Sequence, residues 1–161
     1  MCSSDLAFGK LGGREKTPTS DMDLTFVYTC DPDASASDGD KPLAISQYYA
    51  RLSQRLINAL SAPTAEGALY EVDMRLRPSG NAGPIATTLS AFQTYQERDA
   101  WTWEHMALIR ARPITGPATL QSAIADVVRA VLCSPRDVDK LVVDVADMRE
   151  RMDAERHTEI P

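Results

Sequence analysis

The chain has 161 residues, enough for one domain with a sizeable core, and 43% of them are hydrophobic, an ordinary globular fraction. Its 17 Lys and Arg against 23 Asp and Glu give a net charge of −6, and no basic stripe with interleaved aromatics appears, which argues against a nucleic-acid-binding surface. No apolar run approaches membrane-spanning length, residues 1–10 lack the charged and apolar regions of a signal peptide, and Cys2, Cys30 and Cys133 are odd in number without a CxxC pair. A soluble cytoplasmic protein with reduced thiols, holding neither a disulfide framework nor zinc, is the expectation.

In chain order, residues 6–8 read as a short strand running into the glycine-rich stretch GKLGG. Gly12 and Gly13 can turn unobstructed backbone amides toward a phosphate, with Lys10 and Arg14 adding positive charge beside them. The same glycines equally serve a strand-to-helix turn that needs positive φ. The segment SDMDLTFVY follows, with a strand over 24–28. Alternation puts Asp21, Asp23, Thr25 and Val27 on one face and Met22, Leu24, Phe26 and Tyr28 on the other, which is the expected core face. Two carboxylates on one face repel, and a strand that tolerates them is expected to hold a cation there, Mg²⁺ or Mn²⁺ together with a substrate phosphate. A lone Asp-x-Asp is also common in surface turns and helix caps; the glycines upstream favour the metal reading.

The acidic, Pro-punctuated stretch 29–42 is expected to be a mobile loop, and the apolar spacing over 45–60 predicts an amphipathic helix across the back of the sheet. Over YEVDMRLRP the alternation continues, with Glu71, Asp73, Arg75 and Arg77 on one face and Tyr70, Val72, Met74 and Leu76 on the other. Arginine forks suit phosphate oxygens and an Asp beside them suits a metal, while ion pairs of Arg75 and Arg77 with Glu71 and Asp73 fit the pattern as well. Helices are predicted over 88–98, 100–112, 120–132 and 136–155. Trp101 and Trp103, two apart on a helix, cannot share a face, and one of them is expected in the core. His105 is a candidate base, weighed against a structural hydrogen bond, and His157 lies in a tail expected to fray.

The strings GKLGGRE, SDMDLTFVY, GALYEVDMRLRPSGNAGP and AWTWEHMALIRAR closely resemble the glutamine synthetase adenylyltransferase and adenylyl-removing family, over nearly the whole chain. That family is built on polymerase-β-like nucleotidyltransferase units, whose order of Gly-Gly turn, Asp-x-Asp and one later Asp is matched by Gly12 and Gly13, Asp21 and Asp23, and Asp73. The resemblance implies an α/β (α+β) fold: a small mixed sheet with helices packed on one side, forming a nucleotidyltransferase core over 1–115, then C-terminal helices over 116–161. Residues 77–83 and 100–105 match the adenylylating unit rather than the removing unit. The implied reaction transfers AMP from ATP to a tyrosine of glutamine synthetase and releases pyrophosphate, with Asp21, Asp23 and Asp73 as metal ligands and catalytic residues. Lys10, Gly12, Gly13, Ser20, Arg75 and Arg77 are the implied nucleotide- and phosphate-binding residues; Pro18, in the approach to Ser20, departs from the family pattern. The implied partners are glutamine synthetase and, through regions beyond this chain, a P-II signal protein. An adenylyl-removing unit acting by phosphorolysis and a non-catalytic docking fragment are the alternatives. The resemblance also implies that both ends of the chain are truncated.

Overall fold

The computed structural model describes residues 2–65, 67 and 70–158, with side chains through 154. β1 (Cys2–Ala7) and β2 (Met22–Thr29) pair antiparallel from Cys2↔Thr29 to Ala7↔Leu24. The run of β-branched and aromatic residues in LTFVYT favours this pleated, buried environment. β3 (Val72–Asp73) and β4 (Ala86–Thr88) both lie parallel to β2, the first at its start and the second at its end. β5 (Arg112–Pro113) closes the far edge of β1. The result is a five-stranded mixed sheet with β2 at its centre, in an α/β arrangement that fits a nucleotidyltransferase-like core.

Position at the centre buries β2 on both faces. Leu24, Phe26 and Tyr28 are buried as expected, and so are Thr25 and Val27 on the opposite face, where the sequence reading continued a polar one. The reason is that helices cover both sides. α2 (Ile45–Leu60) takes the place at the back of the sheet expected for it, and Tyr49 stacks on Tyr28 with ring centroids 4.1 Å apart and planes 15° from parallel. On the other side α3 (Leu89–Arg98) and α5 (Ala118–Leu132) bring Phe92, Leu120, Ile124 and Val128 against Leu6, Phe8 and Val27. α5 is thus part of the same core as β1 and β2. Burying such side chains contributes about 1.5–3 kcal/mol each.

Several elements differ from their predicted extents. The alternating strand over 70–77 stops at Asp73, because the Asp73 carboxylate accepts a hydrogen bond from the Arg75 amide at 2.8 Å and turns the chain. The helix predicted over 100–112 is α4 (Thr102–Leu108) only. Arg112 precedes a proline, which disfavours helical backbone there, and it pairs instead with Ala7. Neither tryptophan is in the core: Trp101 precedes the first helical residue and is 70% exposed, and Trp103 is 43% exposed, both lining a cavity of about 490 Å³ against α6 (Val138–Thr158). The His157 side chain lies outside the described ones. The acidic loop is closed at its base, where buried Ser37 donates its amide to Leu43 O at 2.9 Å and accepts the Leu43 amide on its hydroxyl at 3.0 Å.

The segment after β5 fastens β1 from its outer side. Ser4 Oγ donates to Thr115 O at 2.7 Å, the Asp5 amide donates to Thr115 Oγ1 at 2.9 Å, and Ile114 N donates to Asp5 O at 2.9 Å. Gly116, with φ of +90°, follows at once, and a Cβ there would fall 2.2 Å from Ser3 O. Only glycine permits that approach.

Candidate metal centre

The parallel register of β2 on β3, Met22↔Val72 and Asp23↔Asp73, sets two carboxylates side by side, and Met22 N donates to Glu71 O at 2.8 Å to fix it. Asp21 stands one residue before β2. Ligand oxygens of Asp21, Asp23 and Asp73 all lie within 4.8 Å of one another, with Asp21 exposed and the other two half-buried. This is a hard-oxygen donor set of the kind Mg²⁺ and Mn²⁺ take.

A glycine that the sequence reading passed over shapes the site. Gly9 has φ of +51°, and a Cβ built on it would lie 2.3 Å from Asp23 Oδ2, so the carboxylate packs directly on bare backbone. The Phe8 amide donates to Asp23 O at 3.0 Å just before it. The signal was available: Gly9 is the first glycine after the strand. Gly12 and Gly13 instead end the short helix α1 (Gly9–Gly12), and their amides are bonded to Phe8 O at 2.7 Å and Gly9 O at 3.1 Å. Gly12 is buried, and a Cβ there would fall 2.0 Å from Arg110 O. Arg112 donates to Gly12 O at 3.1 Å and Leu11 O at 3.3 Å, which holds the end of α1.

The charges of the site are unevenly set. Burial, followed by the Asp21 and Asp73 charges, raises the Asp23 carboxyl above its ordinary range, and Arg75 and Lys16 only partly offset this. Burial would raise Asp73 too, but Arg75 outweighs it through a side-chain hydrogen bond, an amide hydrogen bond and its charge, so Asp73 is held low. Arg75 Nε stands 2.7 Å from Asp73 Oδ2, making Arg75 the ion-pair partner of one candidate ligand. Arg77 is turned to the following loop, donating to Met74 O at 2.8 Å and Gly83 O at 3.4 Å. Ser20 is buried, its hydroxyl 2.6 Å from Thr17 Oγ1 and accepting the Thr17 amide at 3.1 Å. Lys10 is exposed on α1. Lys16, unmarked in the sequence reading, reaches Ser20 O at 2.8 Å and Asp21 O at 3.3 Å.

His105 is placed away from these groups in hydrogen-bond terms. Arg136 Nη1 sits 2.8 Å from His105 Nδ1, and a guanidinium only donates, so Nδ1 accepts and Nε2 is left to donate to Gln96 O at 2.8 Å. Arg110 pairs with Glu15 on the surface.

The match to known proteins follows the same residues. The family model described as glutamate-ammonia ligase adenylyltransferase matches residues 5–127, which include all three carboxylates. The chain is 63% identical over 151 residues to a bifunctional glutamine synthetase adenylyltransferase/adenylyl-removing enzyme of Brucella suis biovar 1 (strain 1330), covering 94% of this chain and 15% of that relative. Proteins of the same name from Mesorhizobium japonicum (strain LMG 29417 / CECT 9101 / MAFF 303099) and Agrobacterium fabrum (strain C58 / ATCC 33970) are 58% and 54% identical over 94% and 96% of this chain. The chain spans 15% and 16% of the length of these two. With a family match running from β1 through most of α5, the chain belongs to the glutamate-ammonia ligase adenylyltransferase family.

Proposed function

We propose that the Asp21, Asp23 and Asp73 site transfers AMP from ATP to a tyrosine of glutamine synthetase and releases pyrophosphate. The observation that carries this reading is the convergence of three carboxylates from two parallel strands and the residue leading into one of them, within 4.8 Å, in a member of an adenylyltransferase family. The donor set fits one or two divalent cations of the Mg²⁺ or Mn²⁺ type, held by Asp21, Asp23 and Asp73. When bound, such a cation neutralises triphosphate charge and acidifies an acceptor hydroxyl whose unperturbed pKa is about 10. Asp73, kept ionised and oriented by Arg75, accepts the acceptor proton at a carboxylate oxygen. Asp23, whose carboxylate packs on Gly9 and whose backbone carbonyl accepts the Phe8 amide, stands on a fixed strand start, the kind of preorganisation that such transfer chemistry uses. A P-II signal protein is proposed as the regulatory partner.

The test is AMP incorporation into glutamine synthetase by the purified chain, with Mg²⁺ and labelled ATP. Asp21→Asn and Asp23→Asn are each expected to lower turnover by roughly a thousandfold or more, as loss of preorganised charge stabilisation does. The name of the relatives also covers adenylyl removal, so phosphate-dependent release of ADP from adenylylated glutamine synthetase is assayed alongside. Phosphorolysis without transfer would replace this reading by the removing one, and wild-type behaviour of both variants would favour a docking role.

A further inference from the structure

Between α1 and β2 the chain runs through an irregular segment, 14–20, that delivers Asp21 and Asp23 to the site. A local turn closes its end, with the Ser20 amide donating to Thr17 O at 3.0 Å and the Ser20 hydroxyl accepting the Thr17 amide at 3.1 Å, but its backbone is not paired as a strand. One side chain ties that turn to the strand on the far side. The Lys16 ammonium donates to Ser20 O at 2.8 Å and to Asp21 O at 3.3 Å, and it rests 3.7 Å from the centre of the Tyr70 ring. Tyr70 directly precedes Glu71, whose carbonyl receives the Met22 amide, and lies three residues before Asp73. A single ammonium therefore spans the two backbone pieces that carry the candidate ligands, with two N–H groups on carbonyls and the ring face taking its remaining charge.

We infer that Lys16 is a positioning residue of the carboxylate site, tying the start of β2 to the segment leading into β3 so that Asp21, Asp23 and Asp73 stand together. The inference rests on reading those carboxylates as a cation site. It competes with a plain alternative, a surface lysine drawn to nearby acids. The two differ in sign. A positive charge that merely sits beside the ligands opposes cation binding, so its removal would tighten it; a group that orders the ligands is needed for tight binding, and removing such supporting partners typically weakens metal affinity by about 10–100-fold.

The experiment is calorimetric titration of the full chain with Mg²⁺ and with Mn²⁺ near neutral pH, on wild type, Lys16→Met, Lys16→Arg and Tyr70→Leu, with thermal melts to establish that each is folded. Lys16→Met keeps an apolar stem over Tyr70 but has no donors, and it is expected to bind either ion about tenfold more weakly. Lys16→Arg, which keeps donors for the two carbonyls, is expected to recover most of that loss, and Tyr70→Leu to show a smaller loss in the same direction. In the metal-free chain, Lys16→Met is also expected to speed exchange of the Met22 amide. Binding by Lys16→Met that is unchanged or tighter, in a wild-type background that binds the ions, overturns the role of Lys16 alone. A folded wild type that binds neither ion overturns the cation-site reading and this inference with it.

Discussion

Asp23 stands half-buried between two other carboxylates, and burial is the largest of the effects raising its pKa. An acid whose folded pKa lies above its ordinary 3.8 contributes stability below that value and loses it as the pH rises through the raised one, so at neutral pH the ionised group is a net cost. Asp23→Asn is accordingly expected to raise the melting temperature of the metal-free chain by a few degrees at pH 7. The difference should shrink as the pH falls and the wild-type carboxyl takes up its proton. Mg²⁺ should raise the melting temperature of the wild type and much less that of the variant. A variant less stable than wild type at pH 7 without metal would contradict this. Asp73 has the opposite sign: held low by Arg75, its contribution is present above the ordinary value and is lost as the pH falls through the lowered one. Gly12 acts at the same scale through space alone. A methyl group there meets Arg110 O at 2.0 Å and Ala7 O at 2.7 Å, so Gly12→Ala should cost roughly 2–3 kcal/mol in urea unfolding, a typical overpacking penalty.

At the scale of elements, the start of α4 hangs on one buried carboxylate. Glu104 accepts the Trp101 amide at 2.9 Å and the Tyr95 hydroxyl at 2.9 Å, joining the beginning of α4 to α3. Glu104→Ala leaves both donors without that partner and should cost about 2 kcal/mol, with Glu104→Gln costing less because an amide oxygen still accepts. Equal effects of the two on urea unfolding would show that packing rather than hydrogen bonding matters there. The same elements explain what could be read in advance. Regular periodicity is local, so the spacing over 45–60 and the run LTFVYT located α2 and β2 closely. The three carboxylates stood out for the same reason. What escaped was set by bonds to backbone groups, near and far. The alternation over 70–77 does not show that the Asp73 carboxylate will capture the Arg75 amide two residues on and end the strand. Nor does AWTWEHMALIRAR reveal that Arg112 will pair with Ala7. The roles of Gly9 and Lys16 likewise depend on partners seven or more residues away or on carbonyl oxygens, which side-chain patterns do not encode.

Across the whole molecule, protection from solvent is graded. β2 is paired along both edges and buried on both faces, whereas α6 packs chiefly on α4 and leaves Val138, Val142 and Val143 exposed. Amide hydrogen exchange should therefore be slowest in β1 and β2, near the global unfolding limit, and orders of magnitude faster in α6. Uniform protection across α6 and β2 would mean that the helix is held by contacts beyond α4. The fastening of β1 by residues 112–116 has a consequence in time as well. Its strand is made more than a hundred residues before its cover, and one edge stays bare until synthesis has passed residue 116, so the nascent chain offers an unpaired edge to other nascent chains. Slowing translation between β4 and β5 should therefore expose this protein to misassembly more than slowing it anywhere after α5 has begun.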